Sequence, residues 1–189
     1  MPESYNLTTK EKVKAMLDIS GSTDDTFLDA LCDDVTAFIE KLCGGQRFKA
    51  TEHEYEIHDG DKPLIKLQHR FIYEDVDVEV EYNNGTNESP DWVLLTANDY
   101  DLYLDNGVII LGAPIYGRRN IRVTYTAGFA TIPHDVEMTA TNMVARAYNR
   151  RKSQGLSSES FEGVNMNWND TMTEQEKATV GHYTNYSFI

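Results

Sequence analysis

Residues 121 to 151 read IRVTYTAGFATIPHDVEMTATNMVARAYNRR, from Ile121 to Arg151, and this stretch decides the fold. Ile121 to Thr126 is a β-prone run of branched and aromatic residues. Ala127-Gly128 stops it. Pro133 then opens a helix, because the N–H it lacks is one that a first turn leaves unpaired anyway. Val136, Ala140, Met143, Val144, Ala147 and Tyr148 give that helix one apolar face, and its small alanines permit close approach of another helix. The pattern predicts a helix from Pro133 to Lys152. One segment thus ties a β part to an α part.

Upstream of it, from Thr51 to Thr126, the apolar period is two, as in strands. Glu54 to His58 alternates, Asp59-Gly60-Asp61 turns, and Lys62 to Gln68 holds a short strand. Asp75 to Tyr82 alternates throughout, so its valines face a core and Asp75, Asp77, Glu79 and Glu81 face away. Asn83-Asn84-Gly85 is a turn signal, and Trp92 to Leu95 a short apolar strand. Tyr100 to Leu104 and Val108 to Leu111 flank Asp105-Asn106-Gly107 as a hairpin. The reading is about six antiparallel strands.

Further upstream the period is helical. Thr8 is placed to cap a first helix, with Glu11 completing a capping box. Phe27, Leu28, Leu31, Val35, Phe38, Ile39 and Leu42 form the stripe of a second helix, read as core, that ends at Gly44-Gly45. Downstream, Ser157 to Ser160 reads as a polar link. Phe161, Val164, Met166 and Trp168 project apolar groups, and Thr171 to Glu176 offers cap chemistry for a last helix to about Val180. Tyr183, Tyr186, Phe188 and Ile189 make an apolar end that either docks on a partner or folds back. The expected class is α+β: a small helical bundle core, an inserted antiparallel β domain and an extended C-terminal tail. The expected boundaries are 1–50 with 128–155 for the helical core, 51–127 for the β insertion and 156–189 for the tail.

Composition narrows the function. The 189 residues carry a net charge of −14, with 40% hydrophobic and 11% aromatic residues. That is a globular balance, and it argues against a protein that grips phosphate backbones. It allows one that nucleic acid passes without sticking. No apolar run reaches the ~20 residues of a membrane span, and the first residues lack a signal-peptide pattern. A protein made in the cytoplasm is expected. Cys32 and Cys43 lie eleven apart on a helix, ~16 Å along its axis, too far for a disulfide, and read as buried hydrophobes.

Catalytic signals are sparse. P-loop, nucleophile-elbow, zincin and C-x-x-C motifs are absent. His58, Asp59 and Asp61 as a metal site compete with a plain Asp-Gly-Asp turn. Asp99 and Asp101 as a carboxylate pair compete with a solvated strand edge. No cofactor is expected. Arg146, Arg150 and Arg151 sit at the end of the third helix, where cations offset the helix dipole or meet an acidic neighbour.

In order and spacing, several strings together resemble phage head–tail connector (adaptor) proteins, the rings beneath the portal of tailed phages. They are Leu7-Thr8-Thr9, Asp24 to Cys43 running into Gly44-Gly45-Gln46-Arg47-Phe48, Leu64 to Ile72, and Asp99-Tyr100. Val123 to Pro133 with its helix, and Gly155 to Gly163, complete the set. Phe71 departs from the family habit of a proline after the His-Arg pair. The tail beyond Thr171 is less basic than that of the family.

The resemblance implies an architectural virion protein of the neck, without catalysis, made in the host cytoplasm. About twelve copies would form a head-to-tail ring that extends the portal channel. Its partners would be the portal protein, neighbouring copies of itself and the next neck or tail-completion protein. DNA would pass through the lumen without specific binding, and no membrane is involved. The implied interface residues are Arg146, Arg150, Arg151, Phe161, Met166, Trp168, Tyr183, Tyr186 and Phe188, with Asp75, Asp77, Glu79 and Glu81 facing the lumen. The tail is expected to order against its partner, so removing everything after Ser157 should leave a folded chain. Rival readings are a stopper or tail-completion protein, a carboxylate or metal-dependent enzyme on the β insertion, and a binding module built around Trp92.

Overall fold

The structure is a computed structural model that describes residues 5–73, 78–151, 158–161, 164–167 and 172–184. It divides into a helical unit, Glu3–Cys43 with Ile132–Thr184, and a β unit, Gly44–Thr131. The chain is α+β.

The β unit holds β1 (Thr51–His58), β2 (Leu64–Lys66), β3 (Glu79–Asn83), β4 (Trp92–Leu94), β5 (Tyr100–Tyr103), β6 (Val108–Leu111) and β7 (Ile121–Ala127). One sheet has the order β1-β7-β3-β4 and the other β2-β6-β5, and the strand pairs are antiparallel. β7 is central because its inward residues Ile121, Val123, Tyr125 and Ala127 are all apolar, so it can be flanked on both edges and buried. They share one core with Val80 of β3, Ile65 of β2, and Ile109 and Leu111 of β6. The β5–β6 hairpin turns on Leu104–Asn106, with Gly107 at φ +61°. The unit starts seven residues before the expected boundary, because Ala50 N donates to Phe129 O (2.9 Å) and Phe129 N to Phe48 O (2.9 Å).

The helical unit holds α1 (Lys10–Leu17), α2 (Asp25–Leu42), α3 (His134–Arg150) and α4 (Glu174–Tyr183). Two short strands, β8 (Ser158–Phe161) and β9 (Val164–Asn167), pair antiparallel, so the segment read as a polar link has a ladder of its own. α2 packs on α3, α1 on both, and α4 on α3. The expected capping box on α1 does not form. Thr9 is the N-cap, and the buried Thr8 hydroxyl meets Thr141 Oγ1 at 2.7 Å instead, since a buried hydroxyl needs a partner. The capping box belongs to α4, where Thr173 Oγ1 accepts from Glu176 N and Glu176 Oε2 accepts from Thr173 N (2.7 Å).

The α2 stripe splits. Leu28, Val35 and Ile39 are buried and Leu31 half-buried, while Phe27, Phe38 and Leu42 are exposed by 40%, 36% and 41%. The stripe is wider than the face α1 and α3 cover.

Candidate interaction surfaces

Parts of three strings that carry the family resemblance, around Gln46, Leu64 to Ile72 and Val123 to Phe129, meet inside the β unit. Gln46 is fully buried, and its amide reads the backbone of Arg70 as a strand would: Oε1 accepts from Arg70 N (2.7 Å) and Nε2 donates to Arg70 O (3.2 Å). The neighbouring Tyr125 hydroxyl accepts from His69 N (3.3 Å) and donates to Glu56. Glu56 also accepts from Gln68 N (3.1 Å) and faces His58 Nε2 (3.1 Å). Burial alone would raise the Glu56 carboxyl, but the bonds from His58, Tyr125 and Gln68 hold it below the usual carboxylate range. Phe71 takes φ +56°, its ring 5.0 Å from Phe129, and its carbonyl accepts from Gly128 N (2.9 Å). Proline, locked near −65°, has no access to that angle. These residues brace the unit.

Several residues read as interface are engaged within the chain. Arg146 Nη2 forms a forked pair with the buried Glu176 (2.8 and 3.0 Å). Arg151 pairs with Asp24 (3.3 Å) and lies 3.7 Å over the Tyr148 ring. Tyr183 is buried and donates to Asp135 (3.0 Å), so it belongs to the core of its unit rather than to an exposed end. Arg150 borders a groove described below. Trp168, Tyr186, Phe188, Asp75 and Asp77 lie outside the described residues, as do the side chains of Phe161 and Met166. Glu79 is exposed. Glu81 is held by Arg122 in a bidentate pair (2.5 and 2.7 Å), with the Arg122 guanidinium 4.5 Å over the Trp92 ring.

The residues weighed for chemistry have structural partners. Asp59 Oδ1 accepts from Arg119 N (2.6 Å) and Asp61 Oδ1 from Gly117 N (3.0 Å), so the Asp-Gly-Asp turn clamps the loop 112–120. Asp99 accepts from the Thr96 hydroxyl and N–H, which hold its carboxyl below the usual range, opposite to what a general acid needs. Among the described residues, no three His, Cys, Asp or Glu converge to hold a metal, and no helix is long and apolar enough to cross a membrane. Burial pushes the Cys32 and Cys43 thiols up to about 11 and about 12.

Two surfaces went unread in the sequence. The first is the clamped loop. Gly60 N donates to Gly117 O (3.1 Å) and Asn120 Oδ1 (2.8 Å), Ile115 N donates to Gly60 O (3.0 Å), and Asn120 Nδ2 donates to Ile115 O (2.8 Å). A Cβ at Gly60 would stand 2.0 Å from Ile115 O, so only glycine fits that approach. The rigid tip carries Tyr116, 82% exposed, beside exposed Arg118 and Arg119. The second is a groove of about 340 Å³ between α2 and α3, floored by Leu31, Val35, Phe38, Met143 and Ala147 and bordered by Asp34, Arg146 and Arg150. Phe38 and Leu31 look like core in a helical wheel. Only the position of α3 shows that they face outward.

The sequence model of a family described as "Head completion protein" matches residues 6–186. No curated protein matches the chain. Among solved structures, the fold is similar to a chain in the neck of an empty GTA particle computed with C6 symmetry, with TM-score 0.60 and 12% identity over 95% of this chain and 89% of that one. A chain in the virion of a native gene transfer agent (GTA) particle gives 0.59 and 13% over 95% and 89%. A chain in the neck of a native GTA particle computed with C12 symmetry gives 0.55 and 13% over 100% and 97%. At these identities the likeness is one of fold.

Proposed function

The chain belongs to the head completion protein family, and from that premise we propose that it forms a ring of about twelve copies beneath the portal, extending the DNA channel and joining head to tail. The carrying observation is the family match across residues 6–186, with a fold like that of neck proteins over at least 95% of the chain in support. Its role is architectural and without catalysis. The portal protein, neighbouring copies and the next neck protein are its partners.

DNA crosses the lumen without specific binding. Twelve chains of −14 carry roughly −170 in all, a field that repels phosphate and keeps the duplex sliding. In this reading the exposed Glu79 is one of the acids that line the lumen. Glu81 contributes less, since Arg122 neutralises it.

DNA-filled heads made without this chain should fail to join tails, and adding the purified protein should restore joined particles, counted by electron microscopy. Heads that join tails equally well without it would overturn the assignment.

A further inference from the structure

One row of side chains crosses the outward face of the sheet β1-β7-β3-β4. Ile57, Arg122, Glu81 and Leu94 stand side by side in the strand register, while Val123 and Val80, one residue along, point into the core. Tyr55 and Trp92 flank the row, their rings 5.8 and 4.5 Å from the Arg122 guanidinium. Tyr55 and Leu94 are exposed by 54% and 59%, so the patch is bare as well as aromatic. Trp, Tyr and Arg on a firm support are the composition of an interface hot spot. The charge around the patch is acidic. Glu79 is exposed on the same face, and the β3–β4 connection adds exposed Glu88 and Asp91. Against them stands Arg122, which Glu81 already holds. Such a patch fits an occupant that is aromatic and cationic.

The clamped loop of the same unit has that composition. Its carboxylate neighbours, Asp61 and Asp59, are turned onto the N–H groups of Gly117 and Arg119. Among the described residues, neither Arg118 nor Arg119 has a carboxylate within ion-pair distance. The tip thus offers two exposed cations beside the nearly free Tyr116. Bonds on both flanks already hold its base, so ordering it on binding costs little.

We propose that the Tyr116–Arg119 tip of one copy docks on this sheet face of the next, with Tyr116 against Trp92 and Leu94 and the arginines toward Glu79, Glu88 and Asp91. A head-to-tail ring needs two unlike, complementary patches on each chain, and an acidic aromatic face with a cationic aromatic tip meets that requirement. This contact rests on the ring reading above and supplies a link between its copies.

The test uses the full chain with Arg118→Lys and Arg119→Lys, which keep both charges and leave Tyr116 in place. It is assembled on portal-bearing heads beside the unmodified chain, and both are treated with a zero-length carbodiimide. A lysine amine touching a carboxylate then becomes an amide, whereas the guanidinium groups of the unmodified tip do not react. Denaturing gels of the variant should show a ladder of linked copies. Mass spectrometry should find its tip peptide joined to the peptide of Glu79 or to that of Glu88 and Asp91, a product missing from the unmodified chain. A ring seen by electron microscopy without that joined peptide overturns the loop contact and leaves the ring standing. Linked pairs with nothing longer, or a link confined to one chain, overturn the contact as well. So does a ring from the unmodified chain alone, since the variant retains the charges. No ring from either chain overturns the contact together with the ring reading.

Discussion

At Phe71 a single backbone angle excludes a proline. The residue holds φ +56° while its carbonyl takes the Gly128 N–H and its ring meets Phe129 and the Arg70 guanidinium, 4.8 Å away. Phe71→Pro should therefore lower stability by about 3 kcal/mol or more, read as a shifted urea midpoint. Phe71→Gly should cost less, because glycine relieves the left-handed angle while losing the ring contacts. Equal or higher stability of the proline variant would refute the account. The angle itself was not legible, since the contacts around it come from Gln46 on Arg70 and Gly128 on the Phe71 carbonyl, distant in the chain. Gly128 likewise reads as a strand stop. The structure adds that φ +111° and a backbone carbonyl of Lys49 2.7 Å from any Cβ exclude other residues there.

Among the elements, α4 changes most on seeing the structure. Its cap chemistry was legible in Thr171 to Glu176, because that signal is local, and the structure places the box at Thr173 and Glu176. Its attachment was not, because Arg146 and Glu176 are thirty residues apart. α4 buries Val180 and Tyr183. Truncation after Ser157 should thus destabilise the helical unit rather than leave it folded, whereas truncation after Thr184 should preserve it. Thermal melts of the two truncated chains separate these outcomes, and matching melts would contradict the packing. The same helix sets a pH response. Burial pushes Glu176 up, but Arg146 and the Thr173 N–H outweigh it and hold the carboxyl below its usual range. Its stabilisation is present above the unfolded value of about 4.3 and is lost as pH falls through the lower folded value. Burial and the Asp135 bond raise Tyr183 to about 12, so its contribution is intact below about pH 10 and lost as pH rises through 12. Removing these bonds with Glu176→Gln and Tyr183→Phe should flatten the acid and alkaline limbs of the stability profile respectively.

For the whole molecule, a helical part interrupted by an antiparallel β part could be read from the change in apolar period, from 3.6 to two and back. β7 and α3 were both legible in residues 121–151, because one strand and one helix each declare their faces locally. The surfaces were not. An apolar stripe on α2 does not say which third of it stays uncovered, and the clamped loop reads as an ordinary Pro-Gly connection. Charge is a property of the chain as a unit, and in the proposed ring −14 per copy would surround one duplex. The direct measurement is cryo-electron microscopy of the purified protein mixed with portal-bearing heads. A ring of this chain on the portal, coaxial with the channel, is the predicted result. Portals that stay bare at saturating protein would contradict the account.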